Sequence, residues 1–97
     1  MRDNPARERY EISEAGEPAG FVTYKARPGL IAFIHTEIDP SHEHEGLGSQ
    51  LVASALDDAR ARGLEVLPFC PFVNAYIRDH PEYVDLVPEN RREAFGL

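Results

Sequence analysis

The chain has 97 residues, 42% of them hydrophobic, enough for one compact core and too few for two domains. Ten Lys and Arg stand against 17 Asp and Glu, a net charge of −7, so the clustered positive surface that nucleic acid requires is not evident. A single cysteine excludes an internal disulfide framework, no apolar run reaches the roughly 18 residues of a membrane span, and no apolar leader stands near the N-terminus. The expectation is a cytoplasmic protein with neither nucleic acid nor membrane among its partners.

Residues 1–9 are polar, include Pro5 and lack periodicity, and are read as a loose lead-in to one domain over residues 10–87. Tyr10 and Ile12 alternate with charged neighbours as in a short edge strand. Turn residues at 14–18 separate it from a second strand over Gly20 to Ala26, rich in β-branched and aromatic types. Pro28 and Gly29 occupy the central positions of a type II turn, which makes the next strand, Leu30 to Ile38, antiparallel to the second. Strict alternation places Ile31, Phe33, His35 and Glu37 on one face of that third strand.

After Asp39-Pro40 and the polar stretch SHEHE, the residues Leu47, Leu51, Val52, Ala55, Leu56 and Ala59 recur at helical spacing, and Gly63 closes the helix. Leu64 to Phe69 reads as a fourth strand, parallel to the third because a helix-length crossover joins them. Pro71 and Pro81 bracket a short helix with Cys70 at its N-cap. Tyr83, Leu86 and Val87 are expected to tuck against the body, and residues 88–97 to be loosely held. The class is α/β with a mixed sheet: antiparallel strands, a βαβ crossover and a short C-terminal helix.

Ligands of open sheets bind beyond the C-terminal ends of parallel strands. That rule gathers His35 and Glu37, the Glu45–Gln50 turn EGLGSQ, and Cys70 at one edge. Gly46 and Gly48 put no Cβ in front of the helix amides, so the turn is a candidate phosphate cradle for a nucleotide-like cofactor. A GxG by itself is as often only a tight turn. Glu37 and His35 are candidate general bases, with hydrogen bonding at a sheet end as the plain alternative. Cys70 is either a buried small hydrophobe or a thiol activated by a helix N-terminus. Phe72 and Tyr76 are core or pocket-wall aromatics, and Tyr76 is also a candidate proton donor to a leaving thiolate. His42 and His44 suggest chelation, but nothing completes a tetrahedral set, so no metal is expected.

Strand, x-x-G-x-G turn, amphipathic helix and strand together resemble the acetyl-CoA-binding core of GNAT-type N-acetyltransferases. Their Q/R-x-x-G-x-G/A signature aligns with Glu43-His44-Glu45-Gly46-Leu47-Gly48, and HTEIDP and LPFCPFVNAYIRDHPEY resemble the very small single-domain subgroup. The resemblance implies acetyl-CoA as co-substrate, its pyrophosphate on the amides of Gly46 to Ser49 within the Glu45, Gly46, Leu47, Gly48, Ser49, Gln50 turn. It implies pantetheine between the diverging third and fourth strands near Ile38, Cys70, Phe72 and Tyr76. A primary amine of a small molecule or protein would attack the thioester directly, with Cys70, Glu37, His35 and Tyr76 as candidate catalytic residues. Glu43 replaces the usual Gln or Arg, and the chain lacks room for the usual acceptor elements, so the groove is open or completed by another subunit or partner. Two other readings stand beside this one: a CoA-binding module without turnover, and a Cys70-centred hydrolase or redox protein using His35 or His80.

Overall fold

The structure, a computed structural model, describes the backbone of residues 1–97 and every side chain except those of residues 43–45. One sheet holds five strands in chain order: β1 (Arg2–Asn4), β2 (Arg9–Glu14), β3 (Glu17–Arg27), β4 (Leu30–Ile38) and β5 (Glu65–Pro68). Helix α1 (Leu47–Ala61) connects β4 to β5, and α2 (Pro71–Asp79) follows β5. The mixed α/β class read from the sequence is observed: β1 to β4 are antiparallel, and β5 runs parallel to β4.

The apolar stripe of α1 lies on the sheet. Leu51, Val52, Ala55, Leu56 and Ala59 are buried with Tyr10, Val22, Ile31, Phe33 and Val66, and α2 adds Val73 and Ile77 to the same cluster. Residues 2–4 lack strand-forming types and are held instead by their pairing with β2 and by Asp3, which accepts a hydrogen bond from the Tyr24 hydroxyl at 2.6 Å. Beyond α2 the chain makes 3₁₀ turns over Pro81–Leu86, Glu89–Arg91 and Glu93–Phe95. Leu86 and Val87 are buried, and Phe95 and Leu97 pack against the core's edge.

One irregularity decides where the side chains of β4 point. The β3–β4 register passes from Tyr24↔Phe33 to Thr23↔His35, leaving Ile34 as an extra residue. Such a bulge resets the alternation of the bulged strand. Ile31 and Phe33 are buried under α1, and after the bulge Thr36 and Ile38 continue that face, opposite Val22 and Gly20. His35 and Glu37 turn to the open face, where His35 meets the Phe21 ring at 6.4 Å. The strict alternation that grouped them with Ile31 and Phe33 is therefore corrected by Ile34.

The sheet also forks. β5 pairs with β4 only over Leu30 to Phe33, and the last link is the Cys70 N–H donating to the Phe33 carbonyl at 2.9 Å. From there β4 continues through Ile34 to Ile38 without β5, while the other branch turns into α2 at Pro71.

Candidate functional site

Helix α1 begins at the mouth of this fork. Gly46 is its N-cap, at φ 69°, and has no side chain to cap the first turn. Gln50 is the first residue whose N–H reaches back to it, at 3.2 Å from the Gly46 carbonyl, so helix geometry leaves the amides of residues 47–49 unpaired within α1. A Cβ on Gly46 would meet nothing within 4 Å; its left-handed backbone, not crowding, calls for glycine there. Gly48 is the opposite case: a Cβ would come 2.8 Å from Phe72 Cζ and 3.5 Å from Ile38 Cγ1.

These residues surround a cleft of about 450 Å³, lined by Thr36, Ile38, Gly46, Gly48, Ser49 and Phe72. The lining consists of hydroxyl, glycine and apolar positions, and the positive end of α1 supplies about half a unit charge to it. Its open glycine turn and apolar walls suit a slender chain ending in an anion.

Cys70 is the N-cap of α2, extended at φ −66° and ψ 125°, and only 2% exposed. Its sulfur lies 3.2 Å from the Thr36 hydroxyl, with which it shares a hydrogen bond. Thr36, absent from the candidates drawn from the sequence, thus joins the cleft to the cysteine. No periodic signal could have singled it out, because its face is set by the bulge at Ile34.

The other candidates fall in three places. His35 and Glu37 lie on the open face, 3.4 Å apart, with side chains 61% and 63% exposed. Tyr76 stacks on His80 with ring centroids 4.0 Å apart and meets Tyr83 at 5.9 Å, and burial raises its pKa. It is not among the cleft's lining residues, and His80 Nδ1 is engaged with the Tyr76 carbonyl at 2.9 Å rather than with Cys70. Leu47 is buried and Gln50 exposed in the first turn of α1, while the side chain of Glu45 lies outside the described residues. So do those of Glu43 and His44; His42 pairs with Glu14 at 3.0 Å. Among the described residues no group of three or more His, Cys, Asp or Glu is arranged to hold a metal, and no helix is long and apolar enough to cross a membrane.

A mixed sheet that opens between its parallel strands, with a glycine-started helix at the opening, defines an α/β domain of the class whose ligands bind at the strand ends. A family model described as GCN5-related N-acetyl-transferase matches residues 9–86, and the chain belongs to that family of acetyltransferases. Among solved structures, a GCN5-like protein from Staphylococcus aureus with a provisional N-acetyltransferase assignment superposes at a TM-score of 0.67. It has 18% identity, over 91% of this chain and 85% of its own. The ribosomal-protein-S18-alanine N-acetyltransferase from Escherichia coli superposes at 0.53 with 19% identity over 59% of this chain. This chain spans 40% of that enzyme's length. At these identities the likeness is one of fold. No curated protein matches.

Proposed function

We propose that this chain is a cytoplasmic, acetyl-CoA-dependent N-acetyltransferase that moves an acetyl group to a primary amine on a small molecule or a protein. The observation that carries the reading is the meeting of Gly46, Gly48, Ile38 and Phe72 around one cleft at the fork. The amides of residues 47–49 would hold the pyrophosphate. Ile38 and Phe72 would flank the pantetheine arm, and the unpaired edge of β4 beyond Phe33 offers backbone groups to it. The bound thioester supplies an activated acyl group at the fork. Cys70, buried and bonded to Thr36, is placed to support the wall, which favours direct transfer over an acyl-cysteine route.

Isothermal titration with CoA and acetyl-CoA tests the reading. Binding is expected in the wild type and lost in Gly46→Asp and Gly48→Asp, where a carboxylate would sit at the phosphate position. No binding at millimolar ligand would overturn it. A CoA-binding module without turnover would share all of these contacts, and amine-dependent release of CoA thiol separates the two.

A further inference from the structure

Two side-chain hydroxyls line the cleft under α1, those of Ser49 and Thr36, and they belong to different ends of it. Ser49 lies in the first turn of α1, beside Gly46 and Gly48. Thr36 shares a face of β4 with Ile38 and lies about 7 Å further along the strand towards the point where β5 departs. Ile38 and Phe72 both approach Gly48, so an apolar stretch separates the two hydroxyls. The rest of the lining is glycine and apolar, which leaves Thr36 as the polar side chain of the inner end. Tyr76, whose phenol suits a leaving thiolate, is instead stacked on His80 and is not among the lining residues.

Thr36 and Cys70 are both fixed by backbone pairing. Thr36 is opposite Val22 of β3, and its other flank is vacant. Cys70 donates its N–H to the Phe33 carbonyl at 2.9 Å and accepts the Asn74 N–H at its own carbonyl at 2.9 Å. Thr36 Oγ1 and Cys70 Sγ then meet at 3.2 Å.

Building on the acyl-transfer reading, we propose that Thr36 is a catalytic residue of the donor site, its hydroxyl oriented by the Cys70 thiol to hydrogen-bond the thioester sulfur as that sulfur leaves. The thiol is 2% exposed and away from water, and a hydroxyl oxygen accepts a hydrogen bond better than a sulfur does, so the S–H donates to Thr36. The half-buried Thr36 O–H is then directed into the cleft. In the transfer, the amine lone pair forms the C–N bond at the thioester carbonyl carbon, the C–S bond breaks, and its electron pair goes to sulfur. Thr36 donates a hydrogen bond to the growing negative charge and keeps its proton. The thiolate takes a proton from water, and the nitrogen releases one to water. Because the bond strengthens as charge develops, it lowers the barrier more than it tightens the thioester complex. Cys70 acts only through Thr36, as a positioning residue.

The test compares Thr36→Val, which keeps the β-branched shape, with Thr36→Ser, which keeps the hydroxyl. Thr36→Val is expected to lower kcat about tenfold with the KM for acetyl-CoA and the Kd for CoA within about twofold, and Thr36→Ser to stay within about threefold of the wild type in all three. The thiol of bound CoA is titrated by the ultraviolet absorbance of its thiolate, with the complex of desulfo-CoA subtracted so that Cys70 and the tyrosines cancel. Its pKa is expected about one unit higher in Thr36→Val than in the wild type, the same tenfold factor, and restored in Thr36→Ser. An unchanged kcat or an unmoved thiol pKa in Thr36→Val, or a Thr36→Ser as impaired as Thr36→Val, would overturn the role of Thr36 while CoA binding left the acyl-transfer reading standing. A wild type that binds no CoA would overturn both.

Discussion

The hydroxyl of Thr36 and the thiol of Cys70 stand 3.2 Å apart, joining the two branches of the fork just past their last shared backbone hydrogen bond. Cys70→Ala removes a buried sulfur and this contact. We expect a loss of about 1 kcal/mol, a fall in Tm of about 4–8 °C for a domain of this size, and amine-dependent thiol release that persists. Thermal denaturation and the assay on one preparation check both. A folded Cys70→Ala without turnover, together with an acetylated Cys70 in the wild type by mass spectrometry, would establish a covalent route instead.

Gly46 and Gly48 should respond differently to the same substitution. At Gly46 an added methyl has room but the backbone is left-handed, so Gly46→Ala is expected to cost about 1 kcal/mol of stability. At Gly48 the methyl would displace the Phe72 ring, which is 44% exposed and able to move. Gly48→Ala should therefore leave stability nearly unchanged and weaken CoA binding about tenfold by narrowing the cleft. Adding Phe72→Ala should recover part of that loss, and a double-mutant cycle by calorimetry measures the coupling.

Gly20 holds the end of β4 in place. A Cβ there would strike the Ile38 side chain and come 2.7 Å from the Glu37 carbonyl, which is backbone and cannot swing away. Gly20→Ala is expected to destabilise by about 1–3 kcal/mol through overpacking. Amide resonances of residues 36–38 should shift together, since Gly20 pairs with Ile38 and the strain falls on that segment. Unchanged resonances there would show that β4 does not bear the strain.

Stability should decline at alkaline pH through two tyrosines. Burial first, then the hydrogen bond at 2.5 Å to the Asp58 carboxylate, raises the pKa of Tyr10 far above its ordinary 10.0. Burial and Asp3 raise Tyr24 in the same sense. Their contribution is fully present below about pH 10. Above it the unfolded chain releases protons that the folded one retains, so stability falls as pH rises towards the folded pKa values. Tyr10→Phe is expected to cost about 1 kcal/mol near neutrality and to make the alkaline decline shallower. Urea unfolding between about pH 8 and pH 11 reads both effects.

Both helices and the central strands were legible because their signals are local. Pro71 and Pro81 bracket α2, and the three- and four-residue spacing of Leu47, Leu51, Val52, Ala55 and Ala59 marks α1. Leu30–Ile38 is read over its full length from its apolar run. What the sequence hides depends on partners. Arg2–Asn4 forms a strand because Arg9 and Glu11 lie opposite, not through any preference of its own residues. Ile34 is an ordinary β-branched residue, and only the register of β3 turns it into a bulge, which moves His35 and Glu37 across the sheet and brings Thr36 into the cleft. Phe95 and Leu97 reach the core from short 3₁₀ turns that leave no periodic trace.

Since β5 abandons β4 after Phe33, residues 34–38 are the stretch of sheet interior with one flank left vacant, and any extended guest that settles there becomes a temporary sixth strand. On the proposed acyl-transfer reading, recognition and structural weakness share the same five peptide units. A variant that lengthened the parallel pairing towards Ile38 would gain rigidity by shutting its own door.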